Sequence, residues 1–245
     1  MLLWIIGFSL LGSIGALLAA ALFLLFPAGI RQVLLPHLLS YATGTLLGAA
    51  FLGMIPAGLQ LLPATTIMAA VLTGILGFFL LEKLLLWRHC HDGRCEVHGS
   101  AGPLILVGDA FHNFVDGVVV AAAFLTSVPL GISAGLAVVA HEIPQEVGDF
   151  AILLENGYGR CKAFVLNGLS AGTTLVGAVA AYFFLGRTQG TVPYVLAVSA
   201  ASFIYIGTAD LIPALHRVVS PGASARQFVL MAAGVATAAA FHVRH

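Results

Sequence analysis

At 245 residues, with 60% hydrophobic residues, 8% charged residues and a formal net charge of zero, the chain has far fewer charges than the roughly 25% of an ordinary soluble domain. That balance excludes a soluble globular fold, and the lack of any basic patch or run removes nucleic acid as a partner. Read in chain order, eight stretches are long and apolar enough for spanning helices of about 20 residues: 3–26, 33–58, 64–86, 103–125, 130–154, 162–185, 193–214 and 226–243. The expected fold is an all-α membrane protein, a single transmembrane domain over residues 1–245 with short loops. No heptad run, low-complexity tract or internal repeat interrupts it. The first stretch has no positively charged n-region and is too long for an ordinary signal-peptide core, so it is read as a retained span.

Orientation follows from the cations. With the N-terminus outside, the inner loops and helix ends carry Arg31, Lys83, Arg88, Arg94, Arg160, Lys162, Arg217 and Arg226, and the outside keeps Arg187 and Arg244. Such an excess marks cytoplasmic loops, and an even number of spans puts both termini outside. Cys90, Cys95 and Cys161 then face the cytoplasm, where thiols stay reduced, and no disulfide is expected. The compact loops suggest a bacterial inner (plasma) membrane.

The carboxylates carry the functional reading. Glu82, Asp92, Glu96 and Glu155 sit at helix ends or in loops, but Asp109, Asp116, Glu142, Glu146, Asp149 and Asp210 lie within apolar stretches. A charge at membrane depth costs about 2.5–3.5 kcal/mol on insertion scales, so such residues mark function by default. A bound cation offsets that cost. In the fourth stretch His112 and Asp116 are four apart and share a helix face, with Asn113 beside them. In the fifth, His141 and Gln145 share a face with Asp149 less directly aligned, and Glu142, Glu146 and Asp149 share a neighbouring one. Imidazole with carboxylate suits zinc and other first-row divalent metals. Pro144 removes a hydrogen bond to the carbonyl of Ala140, which implies a polar cavity at that depth. Gly117 and Gly148 are expected to let neighbouring helices approach closely. Taken singly, Asp109 or Asp149 reads as a helix-to-helix hydrogen-bonding group; Asp109, Glu146, Asp149 and Asp210 are candidates for a second shell or a proton path. Ser133, Thr173 and Thr174 are read as helix-packing residues.

At the segments His112-Asn113-Phe114-Val115-Asp116-Gly117 and His141-Glu142-Ile143-Pro144-Gln145-Glu146-Val147-Gly148-Asp149, the chain resembles the ZIP family of divalent-metal transporters. It is most similar to the members with HNFxDG and HEVPHEVGD motifs. FIYIGTADLIPAL at 203–215 and GTLLGAAFLGMIP at 44–56 extend the resemblance to the whole chain. It implies eight helices, both termini outside, and a metal site shared by helices 4 and 5. A first metal position would use His112, Asp116, His141, Glu142 and Gln145, and a second Asn113, Asp116, Glu142 and Gln145. The transported substrate would be Zn2+, or Fe2+, Mn2+ or Cd2+, carried into the cytoplasm, with a homodimer as the common assembly.

Departures from the family pattern favour a single ion. Gln145 stands where a His or Glu is usual, Ala49, Gly53 and Ala57 replace polar residues of the second helix, and Ala214 follows Pro213 where Glu is usual. The loop HCHDGRCEVHGS holds His89, Cys90, His91, Cys95 and His98, a composition that suits metal capture on the cytoplasmic side. The rival readings are an intramembrane zinc metalloprotease and a transport-inactive metal sensor. The protease reading founders on HEIPQ, which lacks the second His of HExxH. No nucleotide-binding loop is present.

Overall fold

Each apolar stretch folds as a helical rod, since a helix satisfies every backbone N–H and C=O within its own segment and so tolerates hydrocarbon. The computed structural model describes residues 1–87, 101–217 and 220–241. Among them lie eight helices and no strand: α1 (Leu2–Leu24), α2 (Ala28–Leu59), α3 (Ala64–Trp87), α4 (Ala101–Thr126), α5 (Val128–Glu155), α6 (Arg160–Arg187), α7 (Gln189–Leu215) and α8 (Pro221–Ala240). Six of these, α1–α4, α6 and α7, are long and apolar enough to cross a membrane by length and composition. α5 carries Glu142, Glu146 and Asp149 in its interior, and α8 carries Arg226 and Gln227 near its start.

Local chemistry sets the ends. Ser127, in an extended conformation, accepts a hydrogen bond from the Leu130 amide and caps α5, with Pro129 in the first turn; this is the usual Ser–Pro opening of a helix. Ser220 and Pro221 open α8 in the same way. α5 ends at Gly157, whose φ of 82° lets the amides of Gly157 and Tyr158 return to the carbonyls of Leu154 and Leu153, a Schellman closure. Three rods contain a π turn: Leu11–Gly15 in α1, Ala50–Met54 in α2 and Ile206–Leu211 in α7.

α4 and α5 form the centre. α4 packs on α5, α6 and α7, and α5 also packs on α1, α2 and α8. The α4–α6 contact depends on two glycines facing each other's backbone. A Cβ on Gly117 would fall 1.9 Å from the Thr174 carbonyl oxygen, and one on Gly177 would fall 2.1 Å from that of Phe114. This is the close approach that small residues permit between membrane helices. Gly117 thus behaves as expected. Gly148 does not, because nothing lies within 4 Å of its would-be Cβ; it faces a cavity and not a neighbouring helix.

Candidate metal site

Four side chains from α4 and α5 converge: His112, Asp116, His141 and Glu142, each offering one atom, all within 4.8 Å of one another. His112 Nε2 lies 3.1 Å from His141 Nε2, 3.8 Å from Asp116 Oδ2 and 3.4 Å from Glu142 Oε1. His141 Nε2 lies 3.0 Å from Asp116 Oδ2 and 3.5 Å from Glu142 Oε1. Ligands on a tetrahedron around zinc, at about 2.0–2.1 Å from the ion, stand about 3.3–3.4 Å apart. The five spacings bracket that value, so the four atoms can hold a divalent ion with little movement.

The hydrogen bonding agrees. His141 Nδ1 lies 2.9 Å from the Ala137 carbonyl oxygen. A carbonyl only accepts, so Nδ1 carries the proton, and in the neutral form of the ring the Nε2 lone pair faces the cluster, the orientation typical of a metal-ligating imidazole. Both oxygens of Asp116 and both of Glu142 are buried with no hydrogen-bond donor from the protein. Buried charges are tolerated when they are paired or coordinate a metal. Asp116, His141 and Glu142 are at most 1% exposed, whereas the His112 side chain keeps 20% exposure at the rim.

Two further sequence candidates make contacts with other side chains. Asn113 donates from Nδ2 to Asp109 Oδ1 at 2.9 Å and to the Asp109 carbonyl at 3.1 Å, and its Oδ1 accepts from the Thr174 hydroxyl at 2.8 Å. Gln145 donates from Nε2 to Asp109 Oδ1 at 3.0 Å. Asp109 thus gathers both amides one turn from the cluster. The α5 carboxylate oxygen in the cluster is that of Glu142, adjacent to His141 in sequence. Asp109 and Asn113 are four apart and share a face of α4, a signal available in the sequence; the Ala137 carbonyl and the Thr174 partner had none. Glu146 is 1% exposed, with both oxygens unpartnered, and the α6 residue Asn167 reaches its backbone carbonyl at 3.5 Å. His89, Cys90, His91, Cys95 and His98 lie outside the described residues.

A cavity of about 700 Å³ leads to the cluster. It reaches His112 and His141 and continues past Gln145, Gly148, Asp149 and Asp210. Pro144 also lines it, which matches the polar space expected beside that residue. A smaller cavity of about 230 Å³ meets His112 from the α3–α7 side, where the Tyr205 hydroxyl donates to Glu82. A third, about 520 Å³, opens at the far end of the bundle beside Gly53, Gln60 and Ser127. The α4 residues Val119–Phe124, all 0% exposed, lie between that end and Asp116. The cluster is therefore approached from the Asp149 and Asp210 end.

The family model described as "ZIP Zinc transporter" matches residues 87–242, more than half of the chain. Zinc transporter ZIP13 of Pongo abelii is 36% identical over 170 residues, 67% of this chain and 50% of that protein. Zinc transporter ZIP4 of Homo sapiens is 41% identical over 118 residues, covering 48% and 18% of the two chains. Zinc transporter foi of Drosophila melanogaster is 36% identical over 140 residues, covering 57% and 19%. The matched region spans half or less of the length of each relative.

Proposed function

The chain belongs to the ZIP zinc transporter family, and from that premise we propose that it carries zinc across a membrane into the cytoplasm through His112, Asp116, His141 and Glu142. Its family consists of transporters and not enzymes. The observation that carries the proposal is the set of spacings that the two imidazole nitrogens make with each other and with the two carboxylate oxygens, 3.0–3.8 Å, matched to a zinc tetrahedron. The named relatives are zinc transporters, which puts zinc first; the same donors also accept Fe2+, Mn2+ and Cd2+.

In this reading residues 1–245 form one transport domain of eight spans, α5 and α8 included, with the site between the fourth and fifth. The Lys and Arg distribution supports both termini outside. One ion binds in this reading, because the Asn113 oxygen, which a second position would need, accepts from the Thr174 hydroxyl, and Gln145 is a neutral amide whose Nε2 donates to Asp109. Asn113, Gln145 and Asp109 support the cluster from behind, while Asp149 and Asp210 line the way to the cytoplasm. The cavity that reaches His112 and His141 opens toward the inner end, and the apolar layer at Val119–Phe124 closes the outer approach. Transport then requires the complementary state, in which the outer cavity deepens to the cluster and the inner one closes, as in alternating access about a central site.

The test is zinc uptake into proteoliposomes. His112→Ala and Glu142→Ala are each expected to reduce uptake to the level of empty vesicles. Undiminished uptake in both ends the proposal. The protease rival is disfavoured by Gln145, a neutral amide that donates to Asp109 where HExxH requires a second imidazole.

A further inference from the structure

α2 and α8 run parallel and are locked together by glycines along their outer halves. A Cβ on Gly44 would lie 2.0 Å from the Met231 carbonyl oxygen, and one on Gly234 would lie 2.3 Å from that of Tyr41. Two turns nearer their N-termini the helices leave a cleft of about 200 Å³. Gln32 and His37 of α2 line one side, and Arg226 and Gln227 of α8 line the other. Val33, Pro36 and Ala223 complete the walls.

We propose that this cleft binds the phosphate of an anionic phospholipid headgroup in the inner leaflet. Its lining residues include hydrogen-bond donors and the Arg226 cation but no carboxylate. Gln227 spends one amide N–H on the Leu215 carbonyl, at 3.3 Å, and has a second N–H to offer. Among the described residues no acid lies within salt-bridge distance of Arg226, or of Arg31, which adjoins Gln32 in sequence. Both helices also begin at this end, so the positive ends of two helix dipoles add to the same field. A basic pocket between membrane helices on the cytoplasmic side is a setting in which lipid headgroups bind. A lipid, and not free phosphate, fits the surroundings: Val33, Phe228 and Val229 are 59%, 73% and 63% exposed and offer acyl chains an apolar surface beside the phosphate. The leaflet follows from the orientation proposed above. The binding itself does not depend on the metal site.

The test is thermal unfolding of the purified full chain in neutral detergent, with phosphatidylglycerol, phosphatidylcholine or inorganic phosphate added. Phosphatidylglycerol at tenfold over its dissociation constant is expected to raise the melting temperature by about 4 °C, with phosphatidylcholine and inorganic phosphate giving no rise. Arg226→Gln is expected to remove most of that rise, and Arg187→Gln, an exposed cation at the opposite end, to leave it intact. Native mass spectrometry supplies a readout independent of stability, with retained phosphatidylglycerol falling at least threefold in Arg226→Gln. Equal stabilisation of wild type and Arg226→Gln overturns the site. Equal shifts from phosphatidylcholine, or from inorganic phosphate, overturn the anionic-lipid assignment.

Discussion

The two sides of α4 offer a comparison within a single helix. Toward α6, polar groups are matched: the Thr174 hydroxyl donates to Asn113, Thr173 to the Ala110 carbonyl, Ser170 to the Leu106 carbonyl, and Gly117 and Gly177 bring the backbones together. Toward α5, two imidazole rings and two carboxylates face each other, and the carboxylates find no hydrogen-bond donor outside the cluster's own imidazoles. The first side uses polarity as adhesive between helices, as membrane bundles commonly do. The second gathers four side chains in an arrangement that a divalent cation could satisfy. Burial alone therefore does not separate a structural polar group from a candidate metal ligand. Asn113 and Asp116 are both 0% exposed, and what separates them is whether the protein supplies the partner.

Breaking the α5 side is expected to have the largest effect. Asp116→Asn should weaken zinc binding more than about 100-fold, since even residues that only support a ligand contribute about 10–100-fold; titration calorimetry reads it. In metal-free protein the same substitution should leave the melting temperature unchanged or raised, because it removes an uncompensated buried charge. A large loss of metal-free stability would mean that Asp116 is structural adhesive like its neighbours toward α6. Next comes the α6 side. Gly177→Ala should cost about 1–3 kcal/mol through overpacking against Phe114, measured by denaturation in detergent.

The effects then shrink. Gln145→Ala should weaken zinc affinity by about 10-fold through loss of the Asp109 contact, well short of the loss at Asp116; an equal loss would make Gln145 a ligand. Thr174→Val leaves the Asn113 oxygen without its donor and should cost about 1 kcal/mol, with zinc affinity held within a factor of about two. Smallest of all, Gly148→Ala should change stability by less than about 0.5 kcal/mol, since it opens on the cavity.

Much of the architecture is legible in the residue order because hydrocarbon allows few alternatives to a helix. The stretches expected at 64–86 and 130–154 match α3 (Ala64–Trp87) and α5 (Val128–Glu155) closely. At 33–58 and 226–243 the observed helices begin five residues earlier, at Ala28 and Pro221. Hydropathy fades at the helix ends that carry Arg31, Gln32 and Arg226, but helix geometry does not. The π turns, as at Ile206–Leu211, leave no hydropathy signature. His112 with Asp116 was readable from its four-residue spacing and its depth. The direction of the Asn113 and Gln145 amides was not, because both depend on where Asp109 lies across the helix interface, and spacing along one helix carries no information about that register.

X-ray absorption at the zinc edge, on the purified chain loaded with one equivalent of zinc, tests the central claim most directly. The expected spectrum shows four nitrogen or oxygen neighbours at about 2.0–2.1 Å, with scattering from two imidazole rings in the wild type and from one in His112→Ala. A sulfur shell at about 2.3 Å, or a spectrum unchanged by His112→Ala, would contradict it.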